Sequence, residues 1–190
     1  MTEIDFEAKE FAGLAYGACD LEKGNYETCA FRDCNFGEAD LSNFSFTECE
    51  FENCDFSNAV VTNLALKDVN FKNCKLLGLL FYECRQFLFS ARFEECRLNL
   101  SSFYKMGLTS TRFHKCDLRE VDFSGTDLAN SHFSECNLAA TIFENTVLEK
   151  VDLRSSFNFS IDPERNRITG AQFSAVNVVG LLDKYNIVVD

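Results

Sequence analysis

Residues 29–58 read CAFRDCNFGEADLSNFSFTECEFENCDFSN, and a large apolar side chain returns there at Phe31, Phe36, Leu41, Phe46, Phe51 and Phe56. Followed outward, the same frame gives sixteen consecutive apolar positions from Phe6 to Phe81. It slips by two residues within Tyr82–Leu88, then resumes at Leu88 and runs through Phe93, Leu98 and Phe103 to Leu153, fourteen positions more. In a chain that is 46% hydrophobic, thirty hits out of thirty are not chance. Helices and strands repeat their side-chain directions every 3.6 and 2 residues. A period of five requires the chain to turn a corner every five residues.

Each large position has an inward companion two residues before it. Cys19, Cys29, Cys34, Cys49, Cys54, Cys74, Cys96, Cys116 and Cys136 fill that slot, which elsewhere holds Ala39, Ala59, Ala91, Ser131, Thr141 or Val151. The other three residues of each unit are mostly polar and point outward. Asp or Asn often stands just before the large residue, as at Asn35, Asp40, Asp55, Asp117, Asp122 and Asp152.

Cys-Asn-Phe-Gly-Glu (34–38), Ala-Asp-Leu-Ser-Asn (39–43), Cys-Asp-Leu-Arg-Glu (116–120) and Val-Asp-Phe-Ser-Gly (121–125) resemble the units of pentapeptide-repeat proteins. The resemblance covers about residues 4–155. It implies an all-β fold, a right-handed quadrilateral β-helix with four units per coil and one on each face. Residues 20 apart should then stack, and the sequence supplies such columns once the slip is allowed for. One reads Phe11, Phe31, Phe51, Phe71, Phe93, Phe113, Phe133, and another reads Cys34, Cys54, Cys74, Cys96, Cys116, Cys136. Thirty units make about seven and a half coils, a rod of roughly 36 Å at the usual strand spacing. The slip keeps the columns in phase, so it reads as a bulge near 84–88 within one domain spanning 1–157.

Beyond Leu153 the period stops. Residues 158–190 read as a cap holding the turn Asp162-Pro163-Glu164-Arg165, a short helix from Ser174 to about Tyr185, and a strand at Ile187-Val188-Val189. Val176, Val179, Leu182 and Tyr185 share one face of that helix. Solenoids need such caps to shield their last coil. Asp162-Pro163, Asn166, Phe173-Ser174 and residues 179–185 are also similar to the tail of the Qnr-type quinolone-resistance proteins and of the microcin and albicidin immunity proteins. That resemblance implies a homodimer formed through the tail. It also implies an acidic rod that takes the place of DNA on gyrase or topoisomerase IV.

The chain carries 30 Asp+Glu against 18 Lys+Arg, a formal net charge of -12, which argues against binding nucleic acid or an anionic membrane. Charge is uneven: residues 1–55 hold 14 acids and three bases. Asp20, Glu22, Asp40, Glu48, Glu50, Glu52 and Asp55 are therefore the candidate contacts for a basic partner. Val60, Leu80, Tyr82, Phe87, Phe89 and Tyr104 occupy outward slots around the slip, and form an apolar patch unless the bulge folds Phe87 or Phe89 inward.

Little points to a reaction. The repeated spacing of Cys29/Cys34 and Cys49/Cys54 invites a zinc reading, but parallel stacked side chains do not converge tetrahedrally. The cysteines read as core packing, and as free thiols in the reducing cytoplasm, since the acidic start MTEIDFEAKEF is unlike a secretory signal. His114 and His132, the only histidines, flank core positions and should face solvent. There is no phosphate-cradling glycine motif, so no catalytic residue, metal or cofactor is expected. A non-catalytic scaffold for an unrelated protein partner is the alternative to the topoisomerase reading.

Overall fold

The computed structural model describes residues 4–15 and 21–188. Each coil opens with two short strands. They are β1 (Ile4–Glu7) and β2 (Glu10–Ala12), β3 (Gly24–Glu27) and β4 (Ala30–Arg32), β5 (Ser45–Thr47) and β6 (Glu50–Glu52), and β7 (Ala65–Lys67) and β8 (Val69–Lys72). Above the slip only the second strand of each coil persists, as β9 (Ala91–Glu94), β10 (Arg112–His114) and β11 (His132–Ser134). All pairings are parallel, with Phe11↔Phe31, Phe31↔Phe51 and Phe51↔Phe71 20 residues apart and Phe71↔Phe93 offset by 22.

The rungs define four walls of a right-handed quadrilateral β-helix. The first wall is the sheet β1-β3-β5-β7, and the second is β2-β4-β6-β8-β9-β10-β11. The third and fourth walls are ladders of single bridges, such as Asn35↔Asp55↔Lys75↔Arg97 and Asp40↔Val60. The bridges continue past residue 157, where the sequence placed the end of the coils, to Val147↔Arg167 and Asp152↔Gln172. Ser156, Phe159, Ile161 and Asn166 are buried in that extension. Asn158 and Pro163 in the large slots hid this part of the period from a hydrophobicity reading.

Three local devices make the corner. The residue two after most large positions adopts a left-handed backbone, as at Asp33, Asn43, Asn53, Asn58, Asn63 and Asn73 (φ 50 to 63°). Asn and Asp tolerate that region better than other side chains, which accounts for their frequency there. The Asp or Asn before the large position caps the turn, its Oδ1 accepting the amide two residues on: Ser42 on Asp40 at 2.9 Å, Ser57 on Asp55 at 2.9 Å and Ser124 on Asp122 at 2.8 Å. Third, the inward small residue donates to the carbonyl of a large residue one coil back. The Cys54 Sγ reaches Phe31 O at 3.4 Å and Cys74 Sγ reaches Phe51 O at 3.3 Å, and the hydroxyls of Thr126, Ser131, Thr141 and Thr146 do the same at 2.7 to 2.9 Å. Cys, Ser and Thr share the slot because each is small and can donate.

The interior is a column of rings. Phe11, Phe31 and Phe51 stack at 4.7 Å between centroids, and Phe93, Phe113 and Phe133 at 5.1 and 4.8 Å. Phe81, Phe103 and Phe123 form a second stack at 4.4 and 5.2 Å, meeting the first edge-on. Such pairs add to the burial of the rings themselves.

The slip lies between Arg85, whose amide donates to Leu64 O, and Ser90, whose amide donates to Leu66 O. Four residues loop out over β7, so the first-wall sheet stops there. Leu88, expected in the core, is instead exposed with φ 64°, and Phe89 packs against the core in its place, edge-on to Phe81 at 6.2 Å. The extra residues move the inward direction one position along the chain.

At the C-terminal end the expected helix is two 3-10 turns, Val178–Leu181 and Asp183–Tyr185, and Ile187 and Val188 form no strand. Val189 lies outside the described residues. Ser174 does start the turn, its Oγ accepting the Asn177 amide while Asn177 Oδ1 accepts the Ser174 amide. Asn177 then ties the segment to the last coil, its Nδ2 donating to Leu153 O at 2.9 Å and Ser156 O at 2.8 Å. Gly180 sits so close that a Cβ there would lie 2.3 Å from Phe159 O. This tight seat, and the short anchors, keep the segment from relaxing into a longer α-helix.

Truncating one ring of the column leaves a void bounded by rings that cannot slide. Phe51→Ala is expected to cost about 3–5 kcal/mol in urea unfolding. Burial pushes the Cys49 thiol up to about 12, and burial beside Glu83 does the same for Cys84. The unfolded chain gives up those protons near pH 8.5, so the stability held by the neutral thiols is complete below that pH. It should drain away as pH rises from about 8.5 toward 12. Urea midpoints measured across this range should fall, and fall less steeply in Cys49→Ala.

Candidate functional site

The acidic candidates do not form one patch. Asp40 lies on the fourth wall, Asp55 on the third, Glu50 and Glu52 on β6 of the second, and Glu48 at the corner between the first and second. Glu22 is exposed, and Asp20 lies outside the described residues. The acids therefore encircle the N-terminal coils.

Their charges are unequal. Glu52 is compensated from the rungs on both sides, with Arg32 at 3.7 Å and Lys72 at 3.3 Å, while Arg32 also reaches Glu10 at 3.5 Å. Asp55 pairs with Lys75 at 3.1 Å. Partial burial raises the Asp55 carboxyl, but the Ser57 hydroxyl and amide and the Lys75 ammonium outweigh it and hold it below the usual range. The Ser42 hydroxyl and amide hold the Asp40 carboxyl low in the same way. Both aspartates thus serve the turn as well as the surface. Glu22, Glu48 and Glu50 make no ion pair among the described residues, and they are the acids most open to a partner.

Around the slip, Phe87 is 86% exposed, whereas Phe89 turns inward. Tyr82 and Tyr104 meet edge-on at 6.4 Å on the corner beside it, and Val60 and Leu80 share the adjoining fourth wall. The bulge therefore buries one of its two phenylalanines and presents the other. On the tail, Val176, Val179, Leu182 and Tyr185 are all exposed. In a 3-10 turn residues three apart eclipse, so Val179, Leu182 and Tyr185 fall in line.

The described cysteines are free and buried, the Sγ atoms of the stacked ones directed at backbone carbonyls, and no cluster of three or more His, Cys, Asp or Glu among the described residues is placed to hold a metal ion. No helix of the described residues is long and apolar enough to cross a membrane.

Sequence reasoning missed the donor role of the inward slot and the left-handed corner residue. The signal was present in both cases: Ser and Thr replace Cys in one column, and Asn recurs at residues 43, 53, 58, 63 and 73.

This geometry defines a class, the parallel β-solenoids. A profile described as a pentapeptide repeat region matches residues 44–123 and 86–162, and the chain belongs to the pentapeptide-repeat family. No curated protein sequence matches it. Among solved structures it is similar to a trypsin-treated variant of QnrB1, a plasmid-mediated fluoroquinolone resistance protein, at 18% identity and a TM-score of 0.62, over 98% of this chain and 100% of that one. It is also similar to HetL, a pentapeptide-repeat protein involved in heterocyst differentiation regulation in the cyanobacterium Nostoc sp. strain PCC 7120. That match has 15% identity and a TM-score of 0.73, over 90% and 87% of the two chains. At these identities the likeness is one of fold.

Proposed function

We propose that this chain is a non-catalytic, cytoplasmic binding protein whose acidic coils occupy the DNA-binding surface of a type II topoisomerase, DNA gyrase or topoisomerase IV. On this reading it shields the enzyme from quinolones or peptide toxins, or inhibits it. The observation that carries the reading is the charge of residues 1–55, 14 acids against three bases, with the described acids encircling the coils. Duplex DNA carries about 21 charges over 36 Å. The protein offers a net of -12, which attracts a basic groove without copying DNA charge for charge. The fold shared with QnrB1 and the tail similar to that of the Qnr-type proteins support the same partner.

A supercoiling assay with and without ciprofloxacin tests it directly. Protection or inhibition that weakens steeply with added salt is expected. Combined Glu22→Gln, Glu48→Gln and Glu50→Gln should lower affinity severalfold, chiefly through the association rate. No effect on supercoiling at any dose would leave the second reading, a scaffold for an unrelated protein, which the fold match to HetL supports.

We further propose that Val176, Val179, Leu182 and Tyr185 form the contact of a homodimer. Val179→Glu with Leu182→Glu should give a monomer in sedimentation equilibrium, because two buried carboxylates facing their copies cannot be paired. An unchanged mass would reduce the segment to a cap.

A further inference from the structure

We propose that the corner above the slip is a binding site for a phosphoryl dianion, built around Arg92 and Arg112. The chain is acidic overall, yet residues 85–119 hold seven Lys+Arg against three Asp+Glu, a net of +4. Arg92 and Arg112 are partners in register on β9 and β10, both exposed, so their side chains leave the second wall one above the other. Neighbouring strands stand about 4.8 Å apart, and like charges stacked at that spacing repel.

The repulsion is not relieved from within. The column they share runs Glu50, Asn70, Arg92, Arg112, His132, Asp152, so an uncharged or weakly basic residue separates the pair from the acid at either end. Neither guanidinium comes within ion-pair distance of a carboxylate among the described residues. Elsewhere the arginines find one: Arg119 on Asp117 at 2.6 Å, Arg154 on Asp152 at 2.8 Å and Arg167 on Glu149 at 2.6 Å. Arg97 and Arg85 are also without a carboxylate, but Arg97 lies on the third wall, facing away, and Arg85 Nε donates to Asn63 Oδ1 at 2.9 Å.

The same corner holds a groove of about 280 Å³ lined by Ser90, Arg92, Thr109, Ser110, Thr111 and Arg112, with Phe89 beneath. The Thr109 and Ser110 hydroxyls make no hydrogen bond to protein, whereas Ser90 Oγ donates to Asp68 at 3.0 Å across the rim. Arg92 also lines the neighbouring groove, with Glu50 and Glu94. Two guanidinium forks and two free hydroxyls supply more donors than the two oxygens of a carboxylate can accept. They suit the three terminal oxygens and double charge of a phosphomonoester. A nucleic acid is a poorer occupant, because the coils C-terminal to the site, with 11 acids against five bases in residues 120–190, would repel its further phosphates. The exposed Phe87 stands on the same bulge, where it can meet an apolar group that carries the phosphate.

The site is independent of the topoisomerase reading, and its test is direct. The full-length chain, labelled with 15N, is titrated at fixed ionic strength with inorganic phosphate, phenyl phosphate and acetate, following the arginine Nε–H signals and the amides of residues 107–112. Saturable shifts confined to this corner are expected with both phosphates and not with acetate. Arg92→Gln and Arg112→Gln should each weaken binding about tenfold, while Arg119→Gln leaves it unchanged. Circular dichroism checks that each variant keeps its coils. Tighter binding of phenyl phosphate assigns the site to a phosphorylated organic group resting on Phe87, and equal binding assigns it to free phosphate. Absence of saturation at millimolar phosphate, an equal response to acetate, or full binding by Arg112→Gln would overturn the proposal.

Discussion

A left-handed residue closes nearly every corner of this rod, and the rest of the architecture exists because those corners can be held. Most L-residues resist that conformation by about 1–2 kcal/mol. Here it is adopted by Glu95, Leu100, Lys105, Ala140 and Lys150 as well as by Asn and Gly. Each corner is stabilised by its neighbours along the axis. The left-handed residue donates its amide to the next coil, as Glu95 does to His114 O and Lys105 to Ser124 O. Coil stacking and corner strain are therefore one balance, and a single isolated coil would not keep its shape.

The same balance explains what could be read from the amino acids. Thirty apolar positions at intervals of five demand a cornered path, and the columns of Phe and Cys twenty apart agree with the four corners per turn that the family resemblance implies. Those inferences needed no coordinates, because each inward direction is enforced by burial. Wherever burial is not the governing force the reading weakened. Leu88 matched the apolar frame yet points to solvent, since the bulge is governed by which carbonyls of β7 remain to be satisfied. Asn158 and Pro163 broke the frame, yet the inward slots Ser156 and Asn166 stay buried, since donors are as acceptable as methyl groups there. The tail showed i, i+3 apolar spacing, which an α-helix and a 3-10 turn share, and only its seat against Phe159 decides between them.

Surface function was legible only as composition. The sequence placed the acids near the N-terminus, but it could not show that Asp40 and Asp55 are partly committed to turns, nor that Glu52 is neutralised by Arg32 and Lys72. Equally, a net charge of -12 concealed a basic corner, because the arginines that make it lie 20 residues apart in the chain and only the coil brings them together. Ion pairing between stacked rungs thus reshapes the surface into bands of different sign along one rod.

The bulge has a mechanical side as well. Two of the four ladders run past residues 85–89 without a break, through Phe71↔Phe93 and Lys75↔Arg97, while the first-wall sheet ends at β7 and, among the described residues, no bridge joins Val60 to Leu80 on the fourth wall. A square beam whose rails are interrupted on two adjoining sides is no longer equally stiff in all directions.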